Sequence, residues 1–205
     1  MGLISGVRNR REFLRSASLV AGGAVFAGNR NVVAAANGSV SSATDSKRMR
    51  ALADWTKLTM QTPNPVPYAA EIFDSKTGES LMRATNAVGP ENDPSAHGEV
   101  RTIRLACKKL GSSSLRGYTL YTTCEPCPMC MSCCLWSRLD RVVYGATVAD
   151  AARFGDQILI SSREVEQHSS MHCVVTGPIE RAHCLELFTN PTMQAVFKKW
   201  RTSKD

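Results

Sequence analysis

The sequence lacks internal repeats, low-complexity runs and any apolar stretch long enough to cross a lipid bilayer. The first two absences argue against a solenoid and against a largely disordered chain, and the third argues against a retained transmembrane anchor. What is present is a chain of 205 residues that is 43% hydrophobic and 21% charged. This composition is typical of a globular protein with one domain of ordinary size.

The first 36 residues have the order of a bacterial export signal. Arg10 and Arg11 come first, a weakly apolar stretch over residues 17–27 follows, and a run of small residues ends at Ala36. Secretory signals place a basic region, a short apolar region and an Ala-x-Ala-like cleavage site in this order, and the paired arginines resemble the twin-arginine class. We therefore predict a signal peptide over residues 1–36, recognition by the twin-arginine export machinery and a periplasmic location. The alternative is an amphipathic N-terminal helix.

Much of the positive charge of the chain lies in this N-terminal segment. The formal net charge is +7, and removal of residues 1–36 takes away five arginines and one glutamate, which leaves +3. So small a charge does not indicate a surface for phosphate backbones. Nucleic acid is therefore not predicted as a partner.

The remaining sequence predicts a linker and one layered α/β domain. Residues 37–46 are polar and rich in serine, as in a linker, and residues 47–205 form the predicted domain. Apolar periodicity and turn residues first predict a helix over 47–62, a hairpin of strands over 68–73 and 79–86, and a helix capped by Asp93 or Ser95 and ended by Gly111. A strand over 118–123, a helix over 129–137 and a strand over 141–146 follow. The predicted domain ends with a loop-rich stretch over 147–171, a strand over 173–177, and helices near 180–188 and 193–200. A hairpin followed by alternating helices and strands is typical of a sheet covered by helices.

The cysteines are concentrated in one short segment. Of the eight in the chain, five fall within residues 124–134, which is more typical of a metal or redox site than of a dispersed disulfide framework. Cys127 and Cys130 are three residues apart at a predicted helix start, so their sulfur atoms point to nearly the same face. The positive end of the helix favours the thiolate form of both side chains.

His97 opens another predicted helix and adds an imidazole to this pair. Two thiolates and one imidazole give a zinc ion three ligands and leave a fourth position open for water, which zinc activates near neutral pH. Glu99 lies two residues after His97, where its carboxylate can move protons without binding zinc. We therefore predict one Zn²⁺ per chain, held by His97, Cys127 and Cys130, with Glu99 as the catalytic acid and base.

Two other functions use the same cysteine pair. A thioredoxin-like oxidoreductase also has a CxxC at a helix start, although it leaves His97 and Glu99 without a role. A structural zinc module would need a fourth ligand, and Cys124 is near enough in sequence to supply it. Cys134 lies seven residues beyond Cys127, roughly 10 Å along a helix, which is too far to share one ion.

The order His-x-Glu followed by Pro-Cys-x-x-Cys matches the signature of zinc-dependent nucleobase deaminases. Over about residues 50–160 the sequence resembles the cytidine-deaminase-like superfamily, and within it most resembles the bacterial guanine deaminases. The segments that carry this resemblance are NDPSAHGEVRTIRLACKKLG (92–111), LYTTCEPCPMC (120–130), WSRLDRVVYGA (136–146) and ADAARFGD (149–156). It implies a three-layer α/β/α sandwich with a central five-stranded mixed sheet, a homodimer, and the zinc and proton-transfer roles given above.

The resemblance also implies residues that bind the substrate. Asn86 matches an asparagine that hydrogen-bonds the base, and Asp156 is favoured over Asp150 as the carboxylate that reads it. Trp136 matches a tryptophan near the pocket, with packing in the core as the alternative. The implied substrate is a small-molecule nucleobase, guanine being converted to xanthine and ammonia. Cytosine, other bases or nucleosides, and adenosine in tRNA are the alternatives. The C-terminal sequence matches poorly the segment that closes the pocket in guanine deaminases.

Overall fold

A computed structural model describes residues 42–202 of the chain. The predicted signal over residues 1–36 and the start of the predicted linker lie outside the described residues. The strands are β1 (Ala69–Asp74), β2 (Ser80–Thr85), β3 (Tyr118–Cys124), β4 (Arg141–Ala146) and β5 (Val174–Thr176). The helices are α1 (Ser42–Lys57), α2 (Val88–Glu91), α3 (Gly98–Leu110), α4 (Pro128–Trp136), α5 (Val148–Ala151), α6 (Ser162–Gln167), α7 (Arg181–Thr189) and α8 (Pro191–Thr202), with a 3₁₀ turn over Leu58–Gln61.

The five strands form one mixed sheet in the order β2-β1-β3-β4-β5. β1 pairs antiparallel with β2 and β3, whereas β3, β4 and β5 run parallel. The parallel pairs are joined through helices, as crossover connections require. The predicted five-stranded mixed sheet is confirmed.

Each face of the sheet is covered by its own hydrophobic core. On one face, Leu52 of α1 and Phe188 of α7 pack with Phe197 of α8. On the other face, Ile103 of α3 and Leu135 of α4 belong to the second core. Fully burying a side chain of this size contributes roughly 1.5–3 kcal/mol. Two helical layers around one sheet make the α/β/α sandwich that the sequence predicts.

Helix α1 begins at Ser42, so the predicted linker is wrong over residues 42–46. Asp45 lies in the first turn of α1 and is buried. Its carboxylate accepts a hydrogen bond from the Tyr121 hydroxyl at 2.6 Å and two from the Arg141 guanidinium at 2.9 and 2.6 Å. Because these partners compensate the burial of its charge, a polar segment joins the fold instead of remaining a linker.

The start of α3 also differs from the prediction. Neither Asp93 nor Ser95 caps the helix, whose N-cap residue is His97 in an extended conformation. Asp93 instead accepts hydrogen bonds from the backbone N–H and the hydroxyl of Ser95, at 2.8 and 2.6 Å, and so folds the preceding loop. The other end agrees with the prediction, because Gly111 ends α3 in the left-handed conformation that favours glycine.

The start of α4 is the second helix end that matters for the site. Cys127 is its N-cap residue, and Pro128 occupies the first helical position, where the missing N–H costs nothing. Two short helices, α5 and α6, interrupt the predicted loop over 147–171 and leave residues 152–161 without regular structure. Within residues 42–202, no helix combines the length and apolar character needed to cross a membrane.

Candidate active site

The imidazole of His97 meets both predicted cysteine ligands. Its Nδ1 atom lies 3.8 Å from the sulfur of Cys127 and 3.5 Å from that of Cys130. In the described part of the chain, these three residues form the one group of three or more potential ligands whose donor atoms all lie within 4.8 Å of one another. The N-cap positions of α3 and α4 therefore bring the three side chains together as the sequence predicts.

These distances fit a zinc ion. A tetrahedral zinc with Zn–S bonds of about 2.3 Å and a Zn–N bond of about 2.1 Å separates sulfur and nitrogen by about 3.6 Å. The two observed nitrogen-to-sulfur distances, 3.5 and 3.8 Å, bracket that value. The donor set is therefore close to the geometry of a three-ligand zinc site without side-chain movement.

The protonation of the two thiols fits a cation as well. The pKa of Cys127 is lowered to about 4, first because the Cys130 thiol donates a hydrogen bond to its sulfur and then through His97. The pKa of Cys130 is raised, first by that same hydrogen bond to Cys127 and then by burial. The pair by itself thus carries one negative charge, and a divalent cation between the sulfurs would favour ionisation of the second.

Glu99 stands directly beside this group. Its carboxylate is buried, accepts a hydrogen bond from the Thr122 hydroxyl at 3.1 Å, and lies 3.5 Å from the sulfur of Cys130. Burial raises the pKa of the carboxyl group above its ordinary value. Glu99, the predicted acid–base residue, thus lies next to the three potential metal ligands but is not a member of their group.

The neighbouring cysteines do not complete a four-ligand site. Cys124 is buried, and its sulfur lies 3.8 Å from the carbonyl oxygen of Thr147 rather than in the ligand group. Cys134 is fully buried in the core between the sheet and α4. A structural zinc module would need Cys124 as its fourth ligand, and the position of Cys124 contradicts this alternative. A redox pair of Cys127 and Cys130 would leave the contacts of His97 with both sulfurs unexplained.

His97 and Cys127 border a cavity of about 720 Å³. Asn86 and Asp156, which the resemblance implies as substrate-binding residues, line it. The side-chain oxygen of Asn86 accepts a hydrogen bond from the backbone N–H of Val88 at 2.9 Å, so its amide NH₂ group is the part it offers to a ligand. The full lining comprises Tyr68, Asn86, His97, Glu99, Cys124, Glu125, Cys127, Ala152, Arg153, Phe154, Gly155, Asp156, Gln157, Ile158, Phe197, Trp200 and Arg201.

The structure distinguishes the two aspartates that the sequence left open. Asp150 is buried outside the cavity lining, and the Arg181 guanidinium donates to both of its oxygens at 2.8 and 2.6 Å. This pairing holds the pKa of Asp150 well below its usual range. Asp156, unlike Asp150, lines the cavity.

Trp136 does not line this cavity. Its side chain is 72% exposed, and it belongs neither to the cavity lining nor to either core. Trp136 is the last residue of α4, and it faces a separate shallow groove together with Ile160 and Met171. Its position at the far end of the helix from Cys127 explains why it does not reach the metal ligands.

Sequence reasoning missed several aromatic residues of the cavity. Tyr68 comes from the segment just before β1, and Phe154 comes from the loop after α5. Phe197 and Trp200 come from α8, so the C-terminal segment of the same chain borders the cavity. The spacing of Phe197 and Trp200 at i and i+3 predicts a shared helix face, but it does not indicate what that face covers.

A mixed sheet between two helical layers, with a His-Cys-Cys group and a buried glutamate at one cavity, defines a metal-dependent α/β/α protein. The sequence model of the cytidine and deoxycytidylate deaminase zinc-binding region matches residues 42–146, and the chain belongs to this family. His97, Cys127 and Cys130 are the residues of this chain that are arranged closely enough to hold the zinc ion of this family.

Two curated relatives come from Bacillus subtilis. A guanine deaminase is 42% identical over 101 residues, which are 49% of this chain and 64% of that protein. A tRNA-specific adenosine deaminase is 39% identical over 103 residues, 50% of this chain and 63% of that protein. The matched part of this chain thus spans slightly less than two thirds of either relative.

Solved structures agree on the fold. The guanine deaminase of Nitrosomonas europaea has a TM-score of 0.65 at 23% identity, over 73% of this chain and 84% of that one. The guanine deaminase of Bacillus subtilis has a TM-score of 0.50 at 31% identity, over 80% of this chain and 95% of that one. The predicted cytidine-deaminase-like fold is therefore confirmed.

Proposed function

We propose that this chain is a zinc-dependent hydrolase that replaces the exocyclic amino group of a nucleobase with oxygen, and that guanine is its substrate. The observation that carries the proposal is the carboxylate of Glu99, buried beside the His97–Cys127–Cys130 group at the border of one cavity. The guanine and tRNA-specific adenosine deaminases among its relatives support a deaminase. The products would be xanthine and ammonia.

Zinc, when bound by these residues, supplies Lewis acidity that makes water a nucleophile near neutral pH. Thr122 holds one oxygen of the Glu99 carboxylate, and the other oxygen lies at the edge of the metal ligands. From this position Glu99 takes a proton from the attacking water and donates one to the departing amine. The C–N bond breaks, the carbon keeps the oxygen, and ammonia leaves.

The polar residues of the cavity suit a purine with N–H donors. The Asp156 carboxylate accepts hydrogen bonds only, so it favours a base that presents N–H groups, as guanine does. The amide NH₂ of Asn86 can donate to a ring nitrogen or a carbonyl oxygen, because its own oxygen is already paired with Val88. Together they provide the acceptor and the donor that guanine requires.

We also propose that the protein forms a homodimer. Trp136 is 72% exposed, and Leu159 is 68% exposed in the loop that leads to the same groove. Exposed apolar side chains near one another are typical of protein interfaces. Light scattering should give twice the chain mass, and Trp136→Glu should shift the species towards the monomer. A monomeric wild-type protein would contradict this proposal.

Export through the twin-arginine route is a further part of the proposal. It is supported by Arg10 and Arg11 and by the small-residue run that ends at Ala36. In a bacterial host, the processed protein should be recovered from the periplasm, and replacement of both arginines by lysine should retain it in the cytoplasm. Periplasmic recovery of the lysine variant would contradict the twin-arginine assignment.

The test of the proposed function is ammonia release by the zinc-loaded full chain. Guanine, adenine, cytosine and a tRNA substrate are compared at equal enzyme concentration, and we expect kcat/KM for guanine to exceed the others by at least tenfold. If another compound of the panel is deaminated faster than guanine, the proposed deaminase activity stands and the proposed substrate changes to that compound. No ammonia from any of them, with zinc bound, would overturn the proposed function.

A further inference from the structure

The loop between α5 and α6 supplies a large part of the cavity wall. Residues 152–158 of this loop all line the cavity, and they include the substrate-reading candidate Asp156. The loop has few internal backbone hydrogen bonds beyond the turn that follows α5, the bond from Ile160 N–H to the Ile158 carbonyl being one of them. Phe154 anchors the first part of the loop by contacts with Phe188 and Phe197, at ring-centroid distances of 5.6 and 5.5 Å. The rest of its shape depends on how its two ends are held.

One carboxylate holds both ends. The Oε2 atom of Glu125 accepts a hydrogen bond from the backbone N–H of Val148, at the start of α5, at 3.0 Å. Its Oε1 atom accepts from the backbone N–H and the hydroxyl of Ser162, at the start of α6, both at 3.0 Å. Glu125 and Ser162 are buried, so water does not compete strongly for these bonds.

Glu125 is also tied to the segment that carries the metal ligands. It lies between Cys124, the last residue of β3, and Cys127, the first cysteine ligand. Its backbone N–H donates to the carbonyl oxygen of Ala146, the last residue of β4, at 2.7 Å. The same residue thus connects the cysteine ligands, the end of the parallel strands and both ends of the loop.

We propose that Glu125 is a positioning residue that holds the loop over residues 152–161 at a fixed distance from the metal ligands. Its role in substrate binding rests on the proposed deaminase function, whereas its effect on the loop does not. A carboxylate suits the position because it offers acceptors on both oxygens. A glutamine at position 125 would have only one acceptor oxygen. Its NH₂ group would face one of the two backbone N–H donors, so at least one end of the loop would lose its hydrogen bond.

The first experiment measures the loop without using activity. Arg153 is exposed within the loop, so trypsin cleavage after it, followed by mass spectrometry on the zinc-loaded full chain, reports loop opening. We expect Glu125→Gln to accelerate this cleavage about tenfold or more, with zinc content unchanged. Glu79→Gln removes an exposed carboxylate in the β1–β2 turn and should behave as wild type.

Two milder variants keep the test valid if Glu125→Gln does not fold. Ser162→Ala removes one of the three hydrogen bonds, and we expect an acceleration of a few fold. Glu125→Asp keeps both acceptor oxygens on a shorter side chain and should lie between wild type and Glu125→Gln. Unchanged cleavage in the folded variants, or loss of zinc together with loop opening, would overturn the proposal.

The second experiment separates binding from chemistry. With the best base of the panel, we expect Glu125→Gln to raise KM about tenfold while kcat changes less than about threefold, because the loop contacts the substrate and Glu99 lies elsewhere. A fall in kcat at constant KM would contradict a positioning role. If no base is deaminated, the proposed function fails, and the cleavage result still decides whether Glu125 holds the loop.

Discussion

The two sides of the cavity are built in different ways. On the metal side, His97 and Cys127 are the N-cap residues of two helices packed on the sheet, and Glu99 is buried beside Cys130. On the other side, which comprises the rest of the lining, Asp156 and Phe197 come from an irregular loop and from the last helix. The comparison suggests that the chemistry depends on a rigid framework, while substrate choice depends on segments that can vary without disturbing it.

The largest expected effect is on the metal side. Cys127→Ser and His97→Ala each remove one of three ligands, so we expect zinc content and ammonia release to fall to background. Metal analysis of the purified variants measures this. Cys133→Ser is the matched control, because Cys133 lies on α4 outside the ligand group and should retain zinc. Full zinc content in Cys127→Ser would contradict the site.

A smaller effect is expected for Asp156 in the irregular loop. Asp156→Asn removes the acceptor that reads the base, so we expect KM to rise by about tenfold, which corresponds to the loss of one charged hydrogen bond. Zinc content should not change, because the loop does not contribute a ligand. Steady-state kinetics with the best base measures the effect. An unchanged KM would remove Asp156 from the substrate site.

Asp150→Asn should affect stability rather than substrate binding. Asp150 is buried and paired with Arg181, whose side chain is 53% exposed, so solvent weakens the pair and we expect a loss of about 1 kcal/mol. The pKa of Asp150 is lowered in the folded state. Its stabilisation is therefore complete at neutral pH, and the difference between variant and wild type should shrink as the pH falls below about 4.

Urea unfolding at pH 7 and at pH 3 tests this difference. A gap that widens at the lower pH would contradict the sign of the linkage. A rise in the KM of Asp150→Asn as large as that of Asp156→Asn would show that Asp150, and not only Asp156, binds the substrate.

The smallest effect is expected for Trp136→Ala. Its side chain borders a groove outside the cavity, so we expect kcat and KM to remain within about twofold of wild type. Steady-state kinetics at a protein concentration that preserves the oligomer measures both constants. A tenfold rise in KM would return Trp136 to the substrate site.

The metal side could be predicted from the sequence because its residues lie in two short sequence motifs. His97 and Glu99 lie two residues apart, Cys127 and Cys130 lie three apart, and each pair lies close to a predicted helix start. The chemistry of zinc then limits which of these side chains can meet. The predicted group and the observed group are therefore the same.

The remaining features depend on contacts between distant segments. Asp45 lies 76 residues from Tyr121 and 96 from Arg141, so its serine-rich surroundings suggested a linker. The resemblance placed Trp136 near the pocket, whereas Trp136 ends α4 with its side chain 72% exposed and outside the cavity lining. The role of Glu125 depends on donors that follow much later in the chain, and no local pattern indicates them.

The central claim is that Glu99 moves protons at a zinc site that it does not help to hold. The measurement that tests this most directly is zinc content and ammonia release in Glu99→Gln, compared side by side with wild type and with Glu79→Gln. We predict one zinc per chain in all three proteins and a fall in kcat of at least about 100-fold in Glu99→Gln alone. Undiminished turnover, or loss of zinc from Glu99→Gln, would contradict the claim.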